Sequence, residues 1–411
     1  MTRRVVVTGI GVVTPIGIGK ENFWQSALAG KSGIDRVHAF NPDGHASQIA
    51  GEVLNFDPNE WISVKAQKRM ARFSQFAVAA AKMALSDSGL ELGKLDAFRV
   101  GVSLGVAAGD YEDSTFSAVN YRDRGPGHSR PFAIPKVIVN MAASAVALEL
   151  GITGVNIDVT TACASGSHAL GLALDLIRSG RADVIFSGGA EATINPVVMD
   201  GYDAMKALSR RNSEPTKASR PFDRDRDGFV IGEGSGILLL EEFESARKRG
   251  ARIYAEFAGF GATCDAYHIV APHPEGAGAK NAILAAIRDS GAEINEVDYI
   301  NAHGTSTPAN DTAETLAIKG ALNEHAHSVM ISSLKSMTGH TFGAAGGIEA
   351  TATVLSITTG KIHPTINLDN PDPQCDLDYV PNTAREKKVR FALSNSFGFG
   401  GQNAVLAFRA V

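Results

Sequence analysis

The sequence predicts an α/β protein built from two similar halves. Three observations carry this expectation. Strand-like and helix-like segments alternate along the chain, which argues for sheets covered by helices. A buried strand leading to a helix of small residues occurs once in each half. Val155–Val159 leads to a helix from about Gly166 to Arg178, and Val329–Ser332 leads through Lys335–His340 to Gly343–Ala350. Glycine is abundant, at 43 of 411 residues, and many glycines stand at strand exits, where the backbone must turn or approach another closely.

Met1-Thr2-Arg3-Arg4 runs straight into the strand Val5-Val6-Val7. This predicts no signal peptide, and no apolar run is long enough to span a bilayer. Gly9-Ile10-Gly11 matches part of a dinucleotide fingerprint, but Thr14 stands where the last glycine is needed, so nucleotide binding is not expected. Lys65, Lys68, Arg69 and Arg72 fall at i, i+3, i+4 and i+7, one face of a predicted helix. Met70, Phe73, Phe76, Ala77, Ala80 and Met83 make its apolar face. The seam between the halves falls near Arg247–Arg252, between the apolar strand Gly236–Leu240 and a new strand from Ile253 to Phe257. The expected division is therefore 1–250 and 251–411, with no linker and one shared core. Arg247-Lys248-Arg249 reads as a solvated helix end whose charges suit the C-terminal dipole.

Formal charge is 39 − 44 = −5, so no overall basic character points to nucleic acid. Cys163, Cys264 and Cys375 are the three cysteines. Their odd number and spacing argue against a disulfide framework and a zinc site, and fit a reducing cytoplasm.

Cys163 lies in Thr161-Ala162-Cys163-Ala164-Ser165-Gly166, between a strand and a helix start. There the helix dipole and free N–H groups favour the thiolate over a thiol whose free pKa is about 8.5. Two other segments place a histidine just past a strand. These are Asn301-Ala302-His303-Gly304-Thr305-Ser306-Thr307 and Lys335-Ser336-Met337-Thr338-Gly339-His340. Open α/β sheets gather ligands outside the carboxyl ends of their strands, so three strand exits bring Cys163, His303 and His340 together.

At these residues the chain resembles the β-ketoacyl-acyl carrier protein synthases, the condensing enzymes of fatty acid and polyketide assembly, in their type II, elongating group. Three further segments match: Val7-Thr8-Gly9-Ile10-Gly11, Arg220-Pro221-Phe222-Asp223 through Asp227-Gly228-Phe229, and Asn395-Ser396-Phe397-Gly398-Phe399-Gly400-Gly401. They stand in family order over essentially the whole chain. The resemblance implies a thiolase-type fold, two duplicated halves in five layers α-β-α-β-α. The first half carries the nucleophile and the second the two histidines.

The implied reaction is a decarboxylative Claisen condensation. Cys163 takes an acyl group from a carrier-protein thioester, splitting one hard step into two. Malonyl-carrier protein then loses CO2, and its enolate attacks the acyl thioester. His303 and His340, as neutral N–H donors, hold the enolate oxygen. A second part for His303, at the departing carboxylate or a water, stays open. The N–H groups of Cys163 and Phe399 form a second oxyanion hole, and Phe399 is a gate on the acyl tunnel. Lys335 is expected to be buried, paired with Glu349 or another acid, and to orient His340. Thr305 and Thr307 suit the pantetheine amides, and Asn301, Glu314 and Asn395 offer oxygens to a structural cation. No metal or cofactor is called for, since phosphopantetheine arrives on the acyl carrier protein. The basic stripe Lys65, Lys68, Arg69 and Arg72 suits that acidic partner, with Arg210 and Arg211 extending it. A homodimer is expected, a heterodimer being the alternative.

Ala108 departs from the family, which usually has a bulkier aliphatic there, lining the acyl pocket. The smaller residue implies a roomier pocket and keeps a dedicated polyketide or polyene ketosynthase in view beside bulk fatty acid synthesis. Gln402 replaces a common Thr, a change with no physical account. A non-catalytic chain-length partner would lack the nucleophile present here. A degradative thiolase needs a second cysteine, and Asn395–Gly401 contains none.

Overall fold

The computed structural model describes residues 3–411. Ten strands follow one hydrogen-bonded path, and the short strand Gly17–Ile18 pairs with the first of them as an eleventh. In chain order they are β1 Val5–Thr14, β2 Val100–Gly105, β3 Asn156–Val159, β4 Val184–Glu191 and β5 Gly234–Glu242. The second five are β6 Ala255–Cys264, β7 Tyr299–Asn301, β8 Met330–Ser332, β9 Phe391–Gly398 and β10 Gln402–Arg409.

Their order is β8-β7-β9-β10-β6-β1-β5-β4-β2-β3. Read outward from the middle, each half repeats one pattern, first, fifth, fourth, second, third. Pairing sense repeats too. The inner pairs β1–β5, β5–β4, β6–β10 and β10–β9 are antiparallel. The outer pairs β4–β2, β2–β3, β9–β7 and β7–β8 are parallel. A two-residue antiparallel contact, Val6 to Glu256 and Val7 to Ala255, joins the halves.

The helices Ser165–Arg178 and Ala345–Thr359 pack against each other and against strands of the sheet. Small residues make that crossing possible. A Cβ on Gly166 would lie 2.7 Å from the Gly343 carbonyl oxygen, and one on Gly346 would lie 2.4 Å from the Ser167 nitrogen. The helix Arg72–Ser88 covers β1, β5 and β4, while Ala277–Ser290 covers β6 and β10. Gly9 and Gly11 lie inside β1, where a Cβ would strike the Ala84 and Ala80 carbonyl oxygens of the helix above. They serve close packing, not a phosphate turn. No helix among the described residues is long and apolar enough to cross a membrane.

One local expectation is corrected. The helix predicted across Lys65–Met83 is two helices, Val64–Gln67 and Arg72–Ser88, broken at the extended residue Ala71. Phe73 and Phe76 must reach the core from the second helix, and the chain turns to let them. The run Arg247-Lys248-Arg249 is exposed, as expected, and Arg249 is in addition tied to the body of the protein. Its guanidinium donates to the buried carboxylate of Glu241 at 2.5 and 2.9 Å and to the Ser88 carbonyl at 2.9 Å.

Candidate active site

Cys163 follows β3 and precedes the helix Ser165–Arg178. The turn between them is strained, because Ala162 holds a left-handed φ of 50°. Ser165 pins it. Its hydroxyl accepts from the Thr161 N–H at 2.9 Å and donates to the Ala162 carbonyl at 2.6 Å. The thiol is buried. Burial pushes its pKa up to about 12, against the pull of Lys335's charge and of the N–H groups of Phe399 and Cys163 itself. The expectation of a resting thiolate is therefore wrong. Desolvation of the charged form outweighs the helix terminus.

His303 follows β7. Its N–H and that of Gly304 each donate to a Glu314 carboxylate oxygen at 2.8 Å, and the Thr305 N–H donates to Asp311 at 3.1 Å. Both acids are buried on the helix Pro308–Leu322, which thereby clamps the loop. Thr307 caps that helix, and its hydroxyl lies 2.9 Å from that of Thr305. His340 follows the one-turn helix Lys335–Thr338, and its N–H donates to the Val230 carbonyl at 2.7 Å.

The two imidazoles meet edge to face, 5.4 Å between centroids. Nδ1 of His340 accepts from the Phe342 N–H at 3.3 Å, which leaves its proton on Nε2. Nδ1 of His303 faces the Lys335 ammonium at 3.4 Å, which assigns the same tautomer. Both pKa values lie well below the ordinary 6.5. Burial is the main cause, then Lys335's charge, with His340 adding to the effect on His303. The site thus holds two neutral N–H donors.

Lys335 is buried and in contact with Glu349, the pairing that makes a buried lysine tolerable. Its ammonium donates to the His303 carbonyl at 2.7 Å. The expectation that it orients His340 is corrected. Lys335 opens a helix that turns its side chain back toward the end of β7, so its imidazole neighbour is His303.

Two cavities meet at the thiol. One, about 330 Å³, is lined by Cys163, His303, His340, Thr305, Thr307 and Phe399 among others. The other, about 560 Å³, is lined by Cys163, Ala108, Tyr202, Phe342 and Phe399. Phe399 borders both, in a turn where Gly400 and Gly401 hold left-handed φ values of 80° and 76°. Sequence reasoning missed Tyr202 and Phe342, whose rings stack at 5.4 Å. Phe342 also lies 4.8 Å from the His340 ring. Its nearness to His340 in the chain was the available signal.

Lys65, Lys68 and Arg69 are exposed, away from these cavities. Arg72 is not free to join them. It donates to Glu233 at 2.7 and 2.9 Å and to the Val53 carbonyl at 2.8 Å. Arg210 is exposed, while Arg211 is partly buried beside Glu214. Of the oxygen set Asn301, Glu314 and Asn395, Glu314 accepts from the Asn395 amide at 3.0 Å.

Two family models match the chain, the β-ketoacyl synthase N-terminal domain over residues 2–246 and the β-ketoacyl synthase C-terminal domain over 254–369. The 3-oxoacyl-[acyl-carrier-protein] synthase 2 of Synechocystis is 51% identical over 99% of this chain and 98% of its own. That of Coxiella burnetii is 46% identical over 100% and 99%. Among solved structures, the ishigamide ketosynthase/chain length factor aligns with a TM-score of 0.94 at 39% identity over all of both chains. A type II polyketide ketosynthase in complex with its acyl-carrier protein, bound to the hexaketide, aligns at 0.92 and 38%, also over all of both chains.

Proposed function

The chain belongs to the β-ketoacyl synthase family, and from that premise we propose how its residues divide the work of condensation. The enzyme is an elongating 3-oxoacyl-acyl carrier protein synthase of fatty acid synthesis. It joins an acyl group to malonyl-acyl carrier protein with loss of CO2. The reading of its site rests on one observation: Cys163 and two neutral histidines line one cavity.

In the first step the Cys163 sulfur bonds the acyl carbon, the carrier thioester bond breaks, and the thiol proton leaves with the carrier's sulfur. No standing thiolate is required, in keeping with the raised thiol pKa. Malonyl thioester then enters beside Thr305 and Thr307. Its carbon–carboxylate bond breaks, and the electron pair forms an enolate whose oxygen accepts from the Nε2–H groups of His303 and His340. The enolate carbon attacks the acyl carbonyl. That oxygen's charge is held by the N–H groups of Cys163 and Phe399, and the bond to the Cys163 sulfur breaks, the sulfur taking a proton from solvent. Lys335 is a positioning residue for His303.

The 560 Å³ cavity behind Cys163 is our acyl site, and Phe399 its gate. Wild type offered a panel of acyl-carrier proteins should retain one acyl mass on Cys163 by intact-protein mass spectrometry. Acyl mass on another residue would overturn the assignment. Ala108→Ile should narrow that panel. Three added carbons in a packed apolar wall cost about 1–3 kcal/mol, felt by long acyl groups and not by short ones. A uniform change in kcat/KM at all lengths would remove position 108 from the acyl site.

The acidic carrier protein docks on Lys65, Lys68 and Arg69, a patch from which Arg72 is excluded by its pairing with Glu233. Reversing charge at Lys68 and Arg69 should raise KM for carrier-protein substrates several-fold, by about 1 kcal/mol or less per exposed pair. It should spare small thioester mimics. The effect should shrink in high salt, where the Debye length falls below about 8–10 Å. Unchanged KM would return both residues to plain solvation.

We read the halves as 1–250 and 251–411, stacked in five layers, in a cytoplasmic homodimer. Support for the dimer is the edge strand β3, which has a neighbour on one side only, and the exposed side chains of Phe132, Ile134 and Ile138. The 51% identity to a synthase 2, against 38% to a type II polyketide ketosynthase and 39% to the ishigamide ketosynthase/chain length factor, favours fatty acid synthesis.

A further inference from the structure

Glu191 ends β4 and is fully buried. It borders neither cavity, yet it bonds to Ala107 in the wall of one and to the residue that follows Phe342, which lines both. One of its oxygens, Oε2, accepts from the Ala107 N–H at 2.7 Å and from the Gly343 N–H at 3.2 Å. Ala107 and Ala108 line the acyl-side cavity. Gly343 follows Phe342, which lines both cavities and donates its N–H to Nδ1 of His340. A single carboxylate oxygen therefore joins two segments that are far apart in sequence.

The fit is close on every side. A Cβ on Gly343 would lie 2.7 Å from Oε2 and 2.5 Å from the Ala107 nitrogen. Phe342, the next residue back, holds a left-handed φ of 44°. A non-glycine residue keeps such a conformation only where its surroundings over-determine it. The Gly343 N–H bond to Glu191 is one of the constraints that do so.

We propose that Glu191 is a positioning residue that fixes the acyl-cavity wall at Ala107–Ala108 to the turn Phe342–Gly343, and so sets which acyl lengths reach a reactive pose on Cys163. Burial pushes the carboxyl up to about 7 against the pull of the N–H groups of Ala107, Gly343, Ala108 and Gly109. Its other oxygen has no hydrogen-bond partner, and Asp158 on β3 is a neighbour whose carboxyl is pushed up to about 8 by burial and by the Glu191 charge.

The inference rests on Cys163 carrying the acyl group. The test is single-turnover loading of butyryl- and tetradecanoyl-carrier protein by wild type, Glu191→Asp and Glu191→Gln. Asp withdraws the oxygen by one methylene, whereas Gln keeps an acceptor in place. Glu191→Asp should lose about ten- to 100-fold in kcat/KM for the long acyl group, the scale of a displacement near 1 Å. It should stay within about threefold for the short one, and Glu191→Gln should restore the long-chain rate. Equal loss at both lengths, no loss at either, or no rescue by Gln would overturn the proposal. Wild type that loads neither group would instead sink the assignment of Cys163. If Glu191→Asp fails to fold, Gly343→Ala, which crowds Oε2 from the other side, should show the same split between lengths.

Discussion

Cys163→Ala should abolish carbon–carbon bond formation while the protein stays folded and still decarboxylates malonyl-carrier protein slowly. The expected loss in condensation is on the order of 10,000-fold or more, the scale seen when a nucleophile is removed from a catalytic unit. The fold survives because one sulfur atom is deleted from a small buried site, costing about 1 kcal/mol. Decarboxylation should survive because the proposed donors to its enolate, His303 and His340, do not depend on the thiol. The checks are product formation, CO2 release and a thermal unfolding midpoint measured on the same preparation. Condensation near the wild-type rate would end the mechanism. Loss of CO2 release along with condensation would show that the thiol also serves the malonyl half-reaction.

His303→Ala and His340→Ala should each lose about 100–1,000-fold in condensation, the usual effect of removing one oxyanion donor. Acyl loading of Cys163 should fall far less, because both donors are proposed to serve the malonyl enolate. A single-turnover assay that separates loading from bond formation decides this. Equal loss in both steps would make one histidine the base for the thiol. The pH profile gives an independent check. A histidine whose folded pKa is lowered stays neutral as pH falls through its ordinary 6.5 and protonates only below it. Decarboxylation should therefore hold level as pH drops through 6.5. A midpoint there would show solvated imidazoles.

The strand exits were legible in the sequence because the signals are local. A short apolar run followed by glycine, serine and threonine marks where a buried strand stops. Cys163, His303, Lys335 and Phe399 all stand just beyond such runs, and the structure gathers them at strand ends. The duplication was visible for the same reason, since each half writes its own strand and small-residue helix. The break at Ala71 was not visible, because helical spacing continues across it from Lys65 to Arg72.

By itself, then, the sequence determined the class of fold, the residues at its strand exits and, through their resemblance, the chemistry. Only the tertiary structure decided what those residues experience. Arg72 looked free until Glu233, 161 residues away, captured it. Lys335 looked like a support for His340 until its ammonium was found against His303. Cys163 looked like a thiolate until burial raised its pKa. Glu191 gave no sign of bridging Ala107 to Gly343. The reason is common to all four. Charge state, partner and position depend on desolvation and on contacts between segments distant in the chain, and neither is written in the residues on either side.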